Sequence, residues 1–155
     1  YRVLRHYTHR TSMGISKYLK ELSLRLHKQA EVIDEKILQA LDAVGSRAAD
    51  LAIKNKTYKD DTGNLTASIG YGVYKKGVEY SVGGFGGGKG EQEGLNKLAS
   101  VAAQHRNKSL VLIIVAGMEY ALYVERNGYV ILDGASVRLD NILREELNKV
   151  KVYEV

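Results

Sequence analysis

The chain has no cysteine, no proline and no tryptophan among its 155 residues. Without cysteine it has no disulfides, no thiolate metal ligands and no cysteine nucleophile, which agrees with assembly in a reducing cytoplasm. Its longest apolar run covers residues 110–117 and is much shorter than the roughly 18 residues that cross a bilayer, so no membrane span is predicted. Hydrophobic residues make up 45% of the chain and charged residues 26%, which predicts a folded protein with one core.

The charge is moderately basic, with a formal net charge of +5 and a pI near 9.3. This balance permits contact with nucleic acid and does not require it. Residues 1–14 carry several basic side chains with little apolar periodicity and are interpreted as an arm, ahead of a single domain over 15–155. His6 and His9 have no carboxylate at a matching spacing, so a solvated arm is favoured over a metal site.

A long amphipathic helix is predicted from about Ser16 to Lys54, because apolar residues recur there at every third or fourth position. Gly45 lies inside this pattern and costs about 1 kcal/mol relative to alanine, which permits a break without requiring one. We expect the helix to be continuous.

The period then changes from 3.6 to 2 after the turn formers Asp61, Thr62, Gly63 and Asn64. Alternating residues 69–73 and 78–82 flank Lys75-Lys76-Gly77 and predict a β-hairpin. Residues 83–90 are glycine-rich and predict a loop, which leads into a helix over 91–106. The β-branched run 110–115 predicts a strand covered on both faces, which we expect at the centre of the sheet.

The last third contains one ambiguous stretch, since residues 120–132 are consistent with either a tight hairpin or a helical turn. A closing amphipathic helix is predicted over 135–149. Together the elements predict an α+β fold. It comprises a long N-terminal helix, a small and mainly antiparallel sheet with a β-hairpin, and two further helices.

Several short motifs resemble a known family when they are taken in order. They are Asp61-Thr62-Gly63-Asn64-Leu65 with Ser68 and Ile69, then Val115-Ala116-Gly117, Tyr120-Ala121, Tyr123-Val124-Glu125 and Gly128. This succession, over residues 15–149, resembles the phage tail-completion family of head–tail joining or neck proteins, of the lambdoid gene-ten-product type.

The resemblance implies a non-enzymatic structural protein of the virion, located at the head–tail junction and assembled in the host cytoplasm. It implies a ring of about six copies, partnered by other neck and tail proteins. No cofactor and no metal are expected.

A catalytic interpretation has little support in the sequence. Gly83, Gly88 and Lys89 reproduce the spacing of a phosphate-binding loop, but Gly90 stands where a serine or threonine would hold magnesium. No strand-turn-helix motif presents a serine nucleophile, so a hydrolase is not predicted either. We expect no enzyme.

The aromatic side chains suggest where partners bind. Eleven tyrosines accompany a single phenylalanine, and tyrosine suits surfaces that are buried on assembly. The hairpin and the loop 83–90 are expected to project and to become ordered against a neighbour. The candidate interface residues are Tyr71, Tyr74, Tyr80, Phe85, Tyr120, Tyr123 and Tyr129.

Two further hypotheses concern polar residues. Lys75, Lys76 and Lys89 are candidates for weak, sequence-independent contact with DNA in a channel, and a solvated hairpin tip is the alternative. Residues 61–64 form either a recognition loop or a structural turn, and the turn is favoured.

The sequence is also consistent with a different class of function. The basic pI and the tyrosines on a predicted sheet are also consistent with a small nucleic-acid-binding module. The affinity of such a module would fall steeply with salt, whereas assembly through apolar contacts would not.

Overall fold

The computed structural model describes residues 2–119, 121 and 132–150 and has the predicted α+β fold. The chain divides into two compact units, Tyr1–Lys36 and Ile37–Val155. The elements are α1 (Arg2–Lys54), α2 (Asn64–Ala67), β1 (Ile69–Lys75), β2 (Val78–Gly83), α3 (Gly88–Gln104), β3 (Leu110–Ala116) and α4 (Asp133–Asn148). Most of the ambiguous stretch 120–132 lies outside the described residues.

Helix α1 is continuous through Gly45, as predicted, but it begins at Arg2 rather than near Ser16. The earlier start has a physical reason, because propagation adds one hydrogen bond for each residue that is ordered and needs no apolar face. No proline interrupts residues 2–15. Apolar periodicity thus marks the face that a helix can bury, and does not mark where the helix begins.

The sheet has the order β2-β1-β3 with both pairs antiparallel, so β1 is the central strand among those described. Among the described strands, the one at 110–116 therefore does not hold the central position that was predicted for it. Its β-branched run reflects the helices that cover the sheet on both faces, and such cover does not depend on the lateral position of a strand. The glycine-containing strand β1 takes the middle position because it pairs with both neighbours.

The hairpin between β1 and β2 is confirmed. Lys76 and Gly77 both have positive φ, 50° and 77°, which is the requirement of a type I′ turn. The pairing shifts between Val73 and Tyr74, so that Tyr80 is the extra residue of a β-bulge in β2. Simple alternation predicts that Val78 and Val82 lie on the same face of the sheet. Because of the bulge, they lie on opposite faces.

The two later helices begin slightly earlier than the sequence predicts. Helix α3 begins at Gly88 instead of residue 91 and ends at Gln104, and α4 covers Asp133–Asn148 instead of 135–149. Gly90 belongs to the first turn of α3, where it packs against the Asn64 carbonyl and Ala67. The connecting loop is consequently short, and covers only residues 84–87.

Both faces of the sheet in the unit Ile37–Val155 are covered by apolar side chains. The larger cluster joins Leu38, Ala49 and Ala52 of α1 to the odd-numbered residues of β1. The smaller cluster joins Leu98 of α3 to Ile113 and Val115 of β3. Because successive side chains of a strand point to opposite faces, the two clusters lie on either side of the sheet.

Gly45 provides the close contact between α1 and the sheet. A methyl group at this position would overlap the ring of Tyr71, which is only 6% exposed. The Tyr71 hydroxyl donates a 2.8 Å hydrogen bond to Asp42 Oδ1, one turn earlier on α1. Gly45 therefore leaves room for the tyrosine ring, and it does not interrupt the helix.

We expect Gly45→Ala to lower the free energy of unfolding by about 1–3 kcal/mol, as overpacked cores do. Helix propensity alone predicts the opposite sign, a gain of about 1 kcal/mol. Urea denaturation followed by circular dichroism measures the difference. Ser46→Ala, at the adjacent exposed position, is the matched control and should stabilise slightly. Stabilisation by both substitutions would contradict the packing role.

Helix α4 is attached to α1 by an ion-pair cluster. Arg47 Nη1 lies 2.8 Å from Glu146 Oε1 and Nη2 lies 2.7 Å from Glu145 Oε2. Lys149 Nζ lies 2.8 Å from the same oxygen of Glu146. Hydrogen bonds from Lys149 and Arg47 lower the pKa of Glu146 below its ordinary value, although burial opposes them.

This cluster predicts a pH dependence. Because the pKa of Glu146 is lower in the folded chain, its stabilisation is present above about pH 4.5 and is lost as the pH falls through the folded-state pKa. Glu146→Gln should therefore destabilise the protein at neutral pH and flatten the loss of stability in acid. Glu145→Gln changes a carboxylate that is 59% exposed and should have a smaller effect. Equal pH profiles for the two variants in thermal unfolding would contradict this assignment.

Candidate functional site

The turn that precedes the hairpin is held by local hydrogen bonds. Gly63 has φ 71°, and Thr62 Oγ1 accepts a 3.3 Å hydrogen bond from the Asn64 amide. Asp60 Oδ2 accepts a 2.7 Å bond from the Thr66 amide. Partial burial raises the pKa of Asp60, but hydrogen bonds from Thr66 and Leu65 and the charge of Lys56 together bring it below its ordinary value. Asp61 instead pairs with Lys59 at 3.0 Å on the surface, so it is Asp60 that anchors the first turn of α2.

Ser68 joins this turn to the end of β3. Its side chain is fully buried, and its hydroxyl donates a 2.8 Å bond to the Leu65 carbonyl. The same oxygen accepts bonds from the amides of Gly117 at 3.1 Å and Met118 at 3.4 Å. Two motifs that lie far apart in the sequence, around Ser68 and around Gly117, thus meet at one hydroxyl group. We name this meeting point the Ser68 junction.

The glycine-rich loop is packed on the domain and does not project as predicted. The ring of Phe85 fills the space left by the missing side chains of Gly70 on β1 and Gly94 on α3. The Gly86 amide also donates a 3.0 Å bond to the Ala67 carbonyl. Phe85 therefore serves the smaller core cluster, because two glycines leave room for its ring.

The predicted interface tyrosines occupy different environments. Tyr71 belongs to the core, where burial and the bond to Asp42 raise its pKa to about 12. Tyr74 is half-buried, and its pKa is raised by burial and by Glu79, its partner across the hairpin. Tyr80 is 37% exposed at the bulge of edge strand β2. Tyr120, Tyr123 and Tyr129 lie outside the described residues.

The predicted DNA-contacting lysines are divided between two ends of α3. Gly77 lies against the backbone of Arg106, just after the C-terminal end of α3, so Lys75 and Lys76 belong to that end. Lys89 lies in the first turn of the same helix, about 25 Å away along its axis. Arg106 and Lys108 join the hairpin lysines instead. We name Lys75, Lys76, Arg106 and Lys108 the basic end patch.

A second surface lies on α1 within the unit Tyr1–Lys36. Five large side chains there are each 40–64% exposed, and they fall within an arc of about 120° around the helix axis. This apolar stripe consists of Ile15, Tyr18, Leu19, Leu22 and Leu26. The apolar periodicity of the sequence predicts this stripe, and its side chains are exposed in the structure.

A family model of HK97-gp10-like bacteriophage tail components matches residues 20–126. The chain belongs to this family. The resemblance that the short motifs suggest is thereby confirmed at the level of a phage tail component, which is a structural protein of the virion. No curated protein and no solved structure was found to match the chain.

The matched region of the tail component includes the Ser68 junction, the glycine-rich loop and the basic end patch. It excludes α4, although α4 carries the partners of Arg47. The family match therefore covers most of α1 together with α2, the hairpin, α3 and β3. Within the described residues, no helix of this tail component is long and apolar enough to span a membrane.

The geometry does not support a nucleotide site in the tail component. The strand before the glycine-rich loop is antiparallel, and Glu91 places a carboxylate in the first turn of α3, where a phosphate would bind. Gly90 is buried against the carbonyl of Asn64. No group of three or more potential metal ligands occurs in the described parts of the chain.

The Ser68 junction leads to a stability prediction. Ser68→Ala should lower the free energy of unfolding by about 1–3 kcal/mol, because it removes the hydrogen bonds that the hydroxyl makes to the Leu65 carbonyl and to the partly buried amides of Gly117 and Met118. Ser100→Ala, at an exposed site on α3, should change it by less than about 0.5 kcal/mol. Chemical denaturation measures both, and matching values would show that the junction contributes nothing.

Proposed function

We propose that this tail component forms a closed ring at the junction between head and tail, as a neck, tail-completion or tail-terminator subunit of the virion. The observation that carries the proposal is the apolar stripe of α1. Soluble monomers rarely leave a contiguous apolar surface of this kind uncovered. The family membership supports a role in the tail, and the resemblance to neck proteins supports the position at the junction.

Covering the stripe would supply enough free energy for assembly. Full burial of one large apolar side chain contributes about 1.5–3 kcal/mol, and these five have about half of their surface left to bury. The gain is on the order of 5 kcal/mol for each contact, before the entropy of association is subtracted. A ring repeats the contact at every subunit, so modest pairwise affinity suffices.

We assign the covering surface to a neighbouring copy of the same chain. A ring needs heterologous contacts, in which one patch meets a different patch on the next subunit. The outer face of α3 supplies one, since it exposes Leu95, Ala99 and Ala103 at intervals of four residues. Small side chains allow a second helix to approach closely.

The first test is the mass of the protein in solution by light scattering, with electron microscopy of the large species. A protomer has a mass of 17.2 kDa, so a ring of about six copies has a mass of roughly 100 kDa. Leu22→Glu should shift the mass to that of the protomer, because a charge cannot be buried in the contact. Leu24→Glu is the matched control, since Leu24 is 63% exposed on the opposite side of α1. Rings that survive Leu22→Glu would contradict the assignment.

The absence of cysteine allows a direct test of the pairing. Leu22→Cys and Ala99→Cys, purified separately and mixed under oxidising conditions, should form a disulfide between copies. Leu24→Cys mixed with Ala99→Cys should not. Gel electrophoresis without reductant reads the result, and equal cross-linking in the two mixtures would show that α3 is not the partner surface.

The alternative, a small nucleic-acid-binding module, predicts a different response to salt. Its binding would weaken steeply between low and moderate salt, whereas rings held by the stripe should persist. A strict monomer that binds single-stranded nucleic acid would favour the alternative.

A further inference from the structure

The sheet topology brings two basic loops together at one end of the unit Ile37–Val155. The Lys76 amide donates a 3.0 Å hydrogen bond to the Ser109 carbonyl. A Cβ atom placed on Gly77 would lie 3.1 Å from the Arg106 carbonyl oxygen. The antiparallel pairing of β1 with β3 therefore joins the hairpin turn to the loop between α3 and β3.

The resulting basic end patch concentrates positive charge. Lys76, Arg106 and Lys108 are exposed, and no ion pair to any of the three occurs among the described residues. Residues 37–155 carry 15 basic and 14 acidic side chains, a formal net charge of +1. Neither the turn 75–77 nor the loop 105–109 contains an acidic residue. The four cations of the patch thus lie on two adjacent loops with no carboxylate in either loop.

The patch is also held in place before any ligand binds. The loop between α3 and β3 turns through bonds of 3.0 Å from the His105 amide to the Ala102 carbonyl and from the Lys108 amide to the His105 carbonyl. The hairpin side is a two-residue turn. Binding therefore orders only the side-chain ends, which lowers its entropic cost.

We propose that the basic end patch contacts the phosphate backbone of double-stranded DNA without regard to sequence. The inference rests on the proposed function, because a subunit at the head–tail junction adjoins the path along which DNA leaves the head. Side chains of lysine and arginine on short loops suit phosphates, and three or four such contacts give weak, salt-sensitive binding. Weak contact holds DNA while still letting it pass.

The assignment also excludes Lys89 from this contact. It lies at the other end of α3, and it shares its helical turn with Glu91. The basic end patch would bind a polyanion. The alternative ligand to DNA is an acidic surface of a neighbouring protein. The choice of DNA follows from the mixture of cations on separate loops, which matches a repeating line of phosphates rather than one fixed carboxylate.

The test uses the full chain and a fluorescent duplex of mixed sequence, with binding followed by anisotropy across salt concentrations. We expect log K to fall with log salt with a slope of about −3 to −4. The triple variant Lys76→Gln, Arg106→Gln and Lys108→Gln should reduce the steepness of that slope by about 2.7 and weaken binding at least about tenfold. The matched control, Lys54→Gln, Lys89→Gln and Arg144→Gln, removes equal charge from exposed sites outside the patch.

The outcomes separate the inference from the proposed function, because light scattering is measured on the same samples. A loss of DNA binding confined to the patch variant, with rings intact, supports the inference. Equal weakening by both triple variants, or none by either, overturns it and leaves the ring proposal standing. A patch variant that loses its rings but keeps its affinity for DNA identifies an acidic protein surface as the partner and also overturns it. Stronger competition by single strands than by duplex overturns the assignment to duplex DNA.

Discussion

The close approach of helices to both faces of β1 is the constraint on which the rest of the domain depends. On one face the ring of Tyr71 fits over Gly45 of α1, and on the other Phe85 fits against Gly70 and Gly94. Each contact works because a glycine yields the volume that an aromatic ring needs, in an interior packed as densely as a crystal. The hydroxyl of Ser68 then closes the end of the sheet, where α2, β1 and the segment after β3 meet.

This packing also determines which surfaces face outward. Once α3 is fixed against the sheet by Leu98 and Gly94, its other face exposes small apolar side chains. Once β1 pairs with β3, the hairpin turn and the loop after α3 lie together and their cations form one patch. The apolar stripe of α1 is left exposed in the described part of the chain. A subunit with unsatisfied apolar surface and a localised charge is suited to assembly, which is consistent with a structural tail component.

Much of the fold was predictable from periodicity alone. The long helix, the hairpin at Lys76 and Gly77 and the later helices follow from local patterns, because backbone conformation responds to neighbours in the sequence. The central position of β1 was not predictable, since lateral order depends on pairing between distant segments. The start of α1 at Arg2 was also missed, because apolar periodicity does not mark where a helix begins.

The candidate surfaces were likewise predictable from the sequence only in part. Residue order alone established the absence of thiol chemistry, the apolar stripe of α1, the α+β class and the likeness to phage tail proteins, because each depends on composition or on short-range spacing. Only the tertiary structure placed Phe85 in the core, separated Lys89 from Lys75 and Lys76, and added Arg106 and Lys108 to them. These decisions required contacts between different elements, such as Phe85 with Gly70 and Gly94 and Lys76 with Ser109. Such contacts are set by packing and strand register, which no local pattern encodes.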